Sequence, residues 1–453
     1  MPETLVRLKE AYRNYFLENP GKVAADRKLL DRYLLKNKCT FKVKPMPTRL
    51  KPNFISRGQS DLLSHHVEAM SGALSKFIGL YLANEQVREI MGFTDMENDL
   101  FWIDPGYSNP LVISRLDAFL NGSDVKFLEF NCDSPAGIAY SDVLEAGFKQ
   151  IFAEYTFIHN YDIKYSERQD RLLDSLLGCY SEFRSQRKGM PELPVIAIID
   201  WPEVSTYSEF ELHRKHFMER GIETFIGAPQ DIRVYDGKAW LGDREVHLVY
   251  KRVITRELVQ KLAEAEEFIH AIREGIVCCC NSFRSYIVGN KKVLSVITDP
   301  RFRHIFTDEE QLLIEQTIPW TRILADTVNK FKGINVRLRD FIPENREALV
   351  MKPANMYGGK DVYIGRETDP DKWIRIMEDH ILDRSWVVQE YIDIPRDEYP
   401  EINGSVNFMA KYVNINPFAL SGNYAGTISR ISDSSVINVS AGGGLVPTLM
   451  VET

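Results

Sequence analysis

No stretch of the 453-residue chain approaches the run of about 18 apolar residues that crosses a bilayer, because charged residues break every long apolar segment. A membrane-spanning protein is therefore not expected. The opening residues, Met1 to Tyr15, place Glu3, Arg7, Lys9, Glu10 and Arg13 among apolar positions, so they lack the apolar stretch of a signal peptide and read as an amphipathic helix. The expected compartment is the cytoplasm. An excess of basic residues is missing too: the formal net charge is −8, which argues against nucleic acid held on a broad basic surface, although a local basic groove is compatible with it. Cysteine is scarce, with Cys39, Cys132, Cys179 and the run Cys278-Cys279-Cys280, a usage that suits a reducing environment. Three consecutive cysteines on a strand over Ile276 to Cys280 point alternately to its two faces and cannot all face one metal, so they read as small buried hydrophobes rather than ligands. His213 and His216, three apart on a helical pattern with no Cys or further His nearby, read as a solvated helix face rather than a metal site. Internal repeats, low-complexity segments and the Walker A pattern are all absent.

What remains is a chain with 44% hydrophobic and 26% charged residues, long enough for two or three packed lobes. Its first part is helix-rich and then turns into a hairpin from Leu111 to Asn131, with a helix from about Ser141. A second region opens with Val195 to Asp200, continues as a helix through Phe210 to Arg220, and returns to a strand after Gly221. That is a β-α-β unit, and a half Rossmann-like layer fits it. Asp236-Gly237-Lys238 reads as a hairpin turn, and Val246 to Val253 as a further strand. A third region has helices around Val293 and over Thr317 to Asn329, strands at Ala348 to Pro353, Asp361 to Ile364 and Trp386 to Ile394, a helix from about Asp371, and Val- and Ile-rich strands to the end. The pattern predicts an α+β and α/β protein. The boundaries predicted are 1–192 for the helical region and hairpin, 193–290 for the Rossmann-like part and 291–453 for the remainder.

The hairpin is the most informative segment. Arg115 and Asp117 share one face of its first strand, and Glu129 and Asn131 share one face of the second. With a turn centred near Ser123, Asp117 falls opposite Glu129 and Arg115 opposite Asn131. Two facing carboxylates repel and call for a cation. A hard divalent ion such as Mg²⁺ would accept both carboxylates and the Asn131 carbonyl, with Arg115 offering a planar fork beside it. The alternative is an exposed polar face with a cross-strand Asp–Arg pair of little energetic weight. Leu116, Ala118, Leu128 and Phe130 form the apolar side. Lys352, inside the apolar strand Leu349 to Pro353, needs a partner, for which a phosphate is one candidate. Gly358-Gly359 either lets backbone N–H groups approach phosphates or is a plain hairpin turn. Lys291 is either a second phosphate contact or a surface lysine. The strand through Gln389, Glu390 and Ile392 either offers polar groups to an adenine edge and an apolar wall, or is an ordinary amphipathic strand. Gly442-Gly443-Gly444 calls for a tight turn or a close approach to a ligand.

Together these pieces resemble the circularly permuted ATP-grasp ligases, in particular the synthetase domain of glutathionylspermidine synthase and its relatives. The resemblance rests on Arg115-x-Asp117, Glu129-x-Asn131, Asn290-Lys291, Met351-Lys352-Pro353 with Gly358-Gly359, and Val387-Val388-Gln389-Glu390. It spans roughly Leu111 to Thr453. Their order carries it, since the hairpin motif precedes the lysines whereas an ordinary ATP-grasp chain has the reverse. The resemblance implies an ATP-grasp fold, circularly permuted, with a Rossmann-like preATP-grasp domain, and an ATP-dependent carboxylate–amine ligase working through an acyl phosphate. It implies that Asp117, Glu129 and Asn131 hold Mg²⁺, that Arg115 stabilises the transferring phosphoryl group, that Lys291 and Lys352 bind ATP phosphates, and that Gln389, Glu390 and Ile392 meet adenine. The partners implied are a small carboxylate and an amine. No amidase domain is attached, so glutathione and spermidine do not follow. The rival readings are a nucleotide-binding regulatory protein and an ATP-dependent small-molecule phosphotransferase.

Overall fold

Facing carboxylates can be held in place only by a sheet whose register is fixed, and the hairpin that carries them lies within the largest sheet of the molecule. The computed structural model describes residues 2–437 and 442–452. Strands Ile113–Asn121 and Asp124–Asn131 form the hairpin, and Ile113–Asn121 pairs on its other side with the long strand Ser405–Leu420, setting Arg115 opposite Phe418 and Ala118 opposite Ile415. From there the sheet runs through Asn423–Ser432 and Gly444–Val451 to Asn53–Ser56, and Arg396–Asn403 and Ile163–Lys164 complete its eight strands. A segment from the first third of the chain is thus hydrogen-bonded to strands from the last.

The hairpin pairs as expected, by a different route. Its turn is Gly122-Ser123, with Asn121 opposite Asp124, and Gly122 supplies a positive φ of 63° at the first turn position. That register, continued, would set Asp117 opposite Leu128 and turn Glu129 into the core. A bulge intervenes: Ala118 pairs with Phe127, but Asp117 pairs with Glu129 and Arg115 with Asn131. Because a one-residue slip moves every side chain to the other face, the bulge is what delivers Glu129 and Asn131 to the face of Asp117. Leu128 is the extra residue. It leaves the apolar side to which the alternation assigned it, and Phe127, fully buried, takes its place beside Leu116, Ala118 and Phe130.

That apolar side packs with the helix Arg57–Ala83, whose start is fixed by a reciprocal Ser56–Gln59 cap. A second sheet is parallel throughout, in the order Cys278–Cys280, Leu248–Lys251, Ile196–Ile199, Thr224–Gly227. Both its faces are covered, so alternate residues enter different cores: Ala197, Ile199, Val249 and Cys279 join the hairpin's core, while Ile196, Ile198, Cys278 and Cys280 join the one built on the N-terminal helices. All six cysteines are buried free thiols. A third, antiparallel sheet of Thr321–Ile323, Trp386–Glu390, Leu349–Pro353 and Tyr363–Ile364 packs Leu349, Met351 and Val388 against helices Leu338–Glu344 and Pro370–His380. Among the described residues no helix is long and apolar enough to cross a membrane.

Two readings are corrected. The stretch Thr317 to Asn329 is not helical: the helix is Asp308–Thr317, Pro319 holds Ile318 extended at φ −96° and ψ 114°, and strands Thr321–Ile323 and Val328–Phe331 follow. His213 is not on a solvated face. It is fully buried, because Glu209, Phe210, His213 and Phe217 form the inward stripe of helix Tyr207–Glu219, and His216 instead pairs with Asp170 at 3.0 Å. At Gly444 the close approach is to backbone, not to a ligand: a Cβ there would stand 2.9 Å from the Pro47 carbonyl.

One buried amide joins the parallel sheet to the hairpin. Asn281, just past Cys278–Cys280 and 1% exposed, accepts from Ile113 N at 2.8 Å and donates to Ile113 O at 2.7 Å and Cys132 O at 2.8 Å. It clamps both ends of the hairpin. Each buried partner left unpaired costs about 1–3 kcal/mol, so Asn281→Ala should lower unfolding stability by on the order of 3 kcal/mol. A urea midpoint close to that of the wild type would show that the clamp carries no such weight.

Candidate active site

The three sheets face a common cavity of about 940 Å³. The polar face of the hairpin, the Lys352 face of strand Leu349–Pro353 and the residues beyond the carboxyl ends of parallel strands Ile196–Ile199 and Leu248–Lys251 all line it, the last being the usual ligand position in open α/β sheets. The residues proposed from the sequence as metal, phosphate or adenine contacts border this cavity: Arg115, Asp117, Glu129 and Asn131 from the hairpin, Lys291, Lys352, Gly358 and Gly359, and Gln389, Glu390 and Ile392.

Asp117 and Glu129 are direct cross-strand partners, and each is matched by cations. Arg115 grips Asp117 with Nε at 2.8 Å and Nη2 at 3.3 Å and sends Nη1 to the Ala136 carbonyl at 2.7 Å. Arg430, which sequence reasoning missed, donates at 2.8 Å from strand Asn423–Ser432 to Asp117 Oδ2, the oxygen that Arg115 Nη2 also reaches. Lys291 lies 3.1 Å from Glu129 and donates to Met356 O at 2.5 Å. It is 6% exposed, so it is not a surface lysine. Lys352 donates to the bulge carbonyl of Leu128 at 3.0 Å and to Gln389 Oε1 at 2.9 Å.

The titrations follow from this crowding. Burial pushes the Lys352 ammonium down to about 8 despite support from Glu129, and neighbouring Lys291 adds to the push. Burial would raise the Glu129 carboxyl, but Lys291 and Lys352 outweigh it and draw it down to about 2. Arg430 is lowered by burial and by Arg115, with Asp117 and Glu129 opposing. Four cations surround two carboxylates in a chain whose overall charge is negative, and the local excess of two positive charges favours an anionic ligand.

Gln389 is not free to read a ligand edge. It accepts from Lys352, and its Nε2 donates to Thr321 Oγ1 at 2.8 Å, so its buried amide orients the lysine. Glu390 is half-buried and 3.2 Å from Lys332, and Ile392 is half-buried at the cavity wall. Gly358 and Gly359 lie in a nine-residue connection between paired strands rather than a tight hairpin turn, with φ of 77° and 70°. The same loop reaches across the cavity: Tyr357 donates to Glu257 at 2.5 Å, and Arg256 lies 2.9 Å from the Met356 sulfur. The loop after the hairpin is fixed from below by Arg252, which donates to Pro135 O at 2.6 Å, and by Glu209, which accepts from Gly137 N at 2.7 Å.

Among the described residues the buried Asn131 Nδ2 has no hydrogen-bond partner. Among the described residues no group of three or more His, Cys, Asp or Glu side chains could hold a metal. Two opposed carboxylates and one amide fit a hard divalent ion only where a ligand supplies further oxygens.

No family model matches the chain, and no curated protein matches it. Among solved structures, a glutathione synthetase-like effector (GSS30) from Globodera pallida in its apo form is similar with a TM-score of 0.65 at 12% identity, over 95% of this chain and 97% of that one. A putative gamma-glutamylcysteine synthetase from Methylobacillus flagellatus gives 0.39 at 10% identity over 85% of each chain, and the D-cycloserine synthetase DcsG gives 0.28 at 14% over 48% and 67%. The first similarity shows a shared fold over nearly the whole of both chains. The other two scores are too low to carry an argument.

Glu129 gives the site a pH signature. Its folded carboxyl lies below its ordinary value of 4.5, so its contribution to stability is full above that value and is lost as the pH falls toward 2. The stability advantage of the wild type over Glu129→Gln, measured by chemical unfolding, should therefore shrink between about pH 6 and pH 3. A gap that stays constant over that interval would mean the lysines do not hold the carboxylate.

Proposed function

We propose that the chain is an ATP-dependent ligase of the ATP-grasp type, joining a carboxylate to an amine through an acyl phosphate and releasing ADP and phosphate. The observation that carries this reading is the cationic cluster of Arg115, Arg430, Lys291 and Lys352 closed around two facing carboxylates, in a fold shared with a glutathione synthetase-like effector. Each of these cations already has a local acceptor, so a polyphosphate meets donors set in place before it arrives. In this reading Lys291 and Lys352 bind phosphate oxygens. Arg115 and Arg430 exchange part of their hold on Asp117 for the charge that spreads over the transferring phosphoryl group. Asp117, Glu129 and the Asn131 side-chain oxygen would then hold Mg²⁺, which supplies neutralisation of charge on the phosphates. The adenine contacts fall to Glu390 and Ile392, with Val350 on the same strand face as Lys352, while Gln389 orients the lysine. Loop residues Tyr357 to Gly359 close the cavity against water, as an intermediate prone to hydrolysis requires.

The circularly permuted arrangement is supported by a hairpin that precedes both lysines in sequence yet pairs with the C-terminal strands. The four-stranded parallel sheet within 193–290 supports the Rossmann-like part. The test combines ATP, Mg²⁺ and hydroxylamine with a pool of proteinogenic amino acids and aliphatic mono- and dicarboxylic acids. Hydroxamate together with ADP is the expected product, whereas a stable phosphoester, or bound and uncleaved ATP, would replace the ligase reading with a phosphotransferase or a regulatory protein. Removing one group that meets developing charge typically costs about 10²–10³ in rate, so Arg115→Ala should lose turnover to that extent while ATP binding stays measurable by calorimetry. Undiminished turnover in that variant would remove Arg115 from the chemistry.

A further inference from the structure

The parallel sheet ends in a carboxylate that the cationic cluster leaves unused. Asp200 directly follows strand Ile196–Ile199, lines the same cavity and is 8% exposed. Its Oδ1 accepts from Trp201 N at 2.8 Å, and among the described residues its other oxygen has no hydrogen-bond donor. The charged groups around it are Arg252 and Lys251 at the end of strand Leu248–Lys251 and Glu257 on helix Thr255–Gln260. Both cations are committed elsewhere, Arg252 to Pro135 O and Tyr250 OH at 2.6 and 3.1 Å, and Lys251 to Asp133 at 2.6 Å. Burial therefore prevails and lifts the Asp200 carboxyl to about 6, with the Trp201 N–H and Arg252 limiting the rise and Glu257 adding to it. A buried carboxylate with an unused oxygen destabilises a fold, and such groups mark functional sites when they face a cavity. Trp201 and Val204, close to it in sequence, and Ile254, just past strand Leu248–Lys251, line the same cavity with apolar surface, alongside the carboxylates of Glu203 and Glu257.

We propose that Asp200 receives the ammonium group of the incoming amine and takes a proton from it, leaving a neutral nitrogen to attack the acyl phosphate. This inference rests on the ligase reading above and assigns the second half of that reaction. The amine arrives as R–NH₃⁺, and one proton passes to the Asp200 carboxylate. The freed lone pair forms the C–N bond, the bond from the acyl carbon to the phosphate oxygen breaks, and the phosphate departs with that electron pair. The second proton leaves the nitrogen with the departing phosphate, so that neutral amide, protonated Asp200 and hydrogen phosphate account for every atom and charge.

Asp200→Asn separates the two half-reactions. Hydroxylamine is already neutral at about pH 8 and needs no base, whereas aliphatic primary amines are ammonium ions there. With the carboxylate pool used above, the variant should form hydroxamate within about threefold of the wild type and lose at least about 10²-fold in amide formation with aliphatic primary amines, the usual scale of general-base catalysis. Amide formation within a few-fold of the wild type would overturn the proposal, as would equal loss of both products. Absence of hydroxamate with the wild-type protein would instead remove the ligase reading itself. Melting temperature supplies a readout without substrate. A carboxyl raised above its ordinary 3.8 on folding makes the wild type lose stability as the pH climbs from about 4 through 6. Asp200→Asn should therefore melt above the wild type at about pH 7.5, with the difference vanishing near about pH 4. A variant that melts lower at both values would make Asp200 a structural anchor and end the proposal.

Discussion

Two carboxylates placed opposite each other on an antiparallel ladder repel, and the sheet that carries them is stable only while positive charge stands beside them. Here that charge comes from four separate segments: Arg115 from the hairpin itself, Arg430 from a strand three hundred residues further on, Lys291 from the connection after the parallel sheet, and Lys352 from the small antiparallel sheet. Neutralising Asp117 and Glu129 thus draws three sheets to one point. The cations are held from behind as well, by the carbonyls of Ala136, Met356 and Leu128 and by the Gln389 amide, so the cluster keeps its geometry without a ligand.

The parallel sheet contributes through the residues just beyond its strands. Asn281 fixes both ends of the hairpin, Arg252 fixes the loop that leaves it together with Glu209 of helix Tyr207–Glu219, and Asp200 stands apart with an oxygen unused among the described residues. Positioning and chemistry are therefore divided. Asn281 and Arg252 spend their hydrogen bonds on the hairpin and its loop, which leaves Asp200 as the carboxylate at the end of strand Ile196–Ile199 with an uncommitted oxygen on the cavity. Since both sheet faces are buried in the same two cores that underlie the large sheet, movement of one against the other would disrupt packing throughout the interior.

The alternation of the hairpin was readable because period-two patterning survives in sequence, and it placed Arg115, Asp117, Glu129 and Asn131 together. The bulge at Leu128 was not readable, since an added strand residue leaves no compositional mark, and Leu128 was accordingly assigned to the apolar side. Arg430 escaped notice because a single arginine among Ser, Thr and Ile looks like any solvated strand position. Only the pairing of distant strands shows that, half-buried, it reaches Asp117. The amide of Gln389 was identified, but its partner Lys352 lies on a neighbouring strand, so its task could not be read locally. His213 illustrates the opposite case: the spacing of Phe210, His213 and Phe217 signals an inward stripe, whereas the pair His213 and His216 taken alone suggests an outer face. Pro319 likewise marked the end of the helix before Thr321, against an apolar spacing that imitates a helical period.

The pairing of Ile113–Asn121 with Ser405–Leu420 also bears on how the polypeptide matures during synthesis. A nascent chain that has exposed the hairpin from the ribosome still lacks the strand that supports it and the guanidinium of Arg430 that balances Asp117. The cationic cluster can assemble only after Arg430 has been synthesised, and until then the hairpin edge that pairs with Ser405–Leu420 is open to pairing with another molecule.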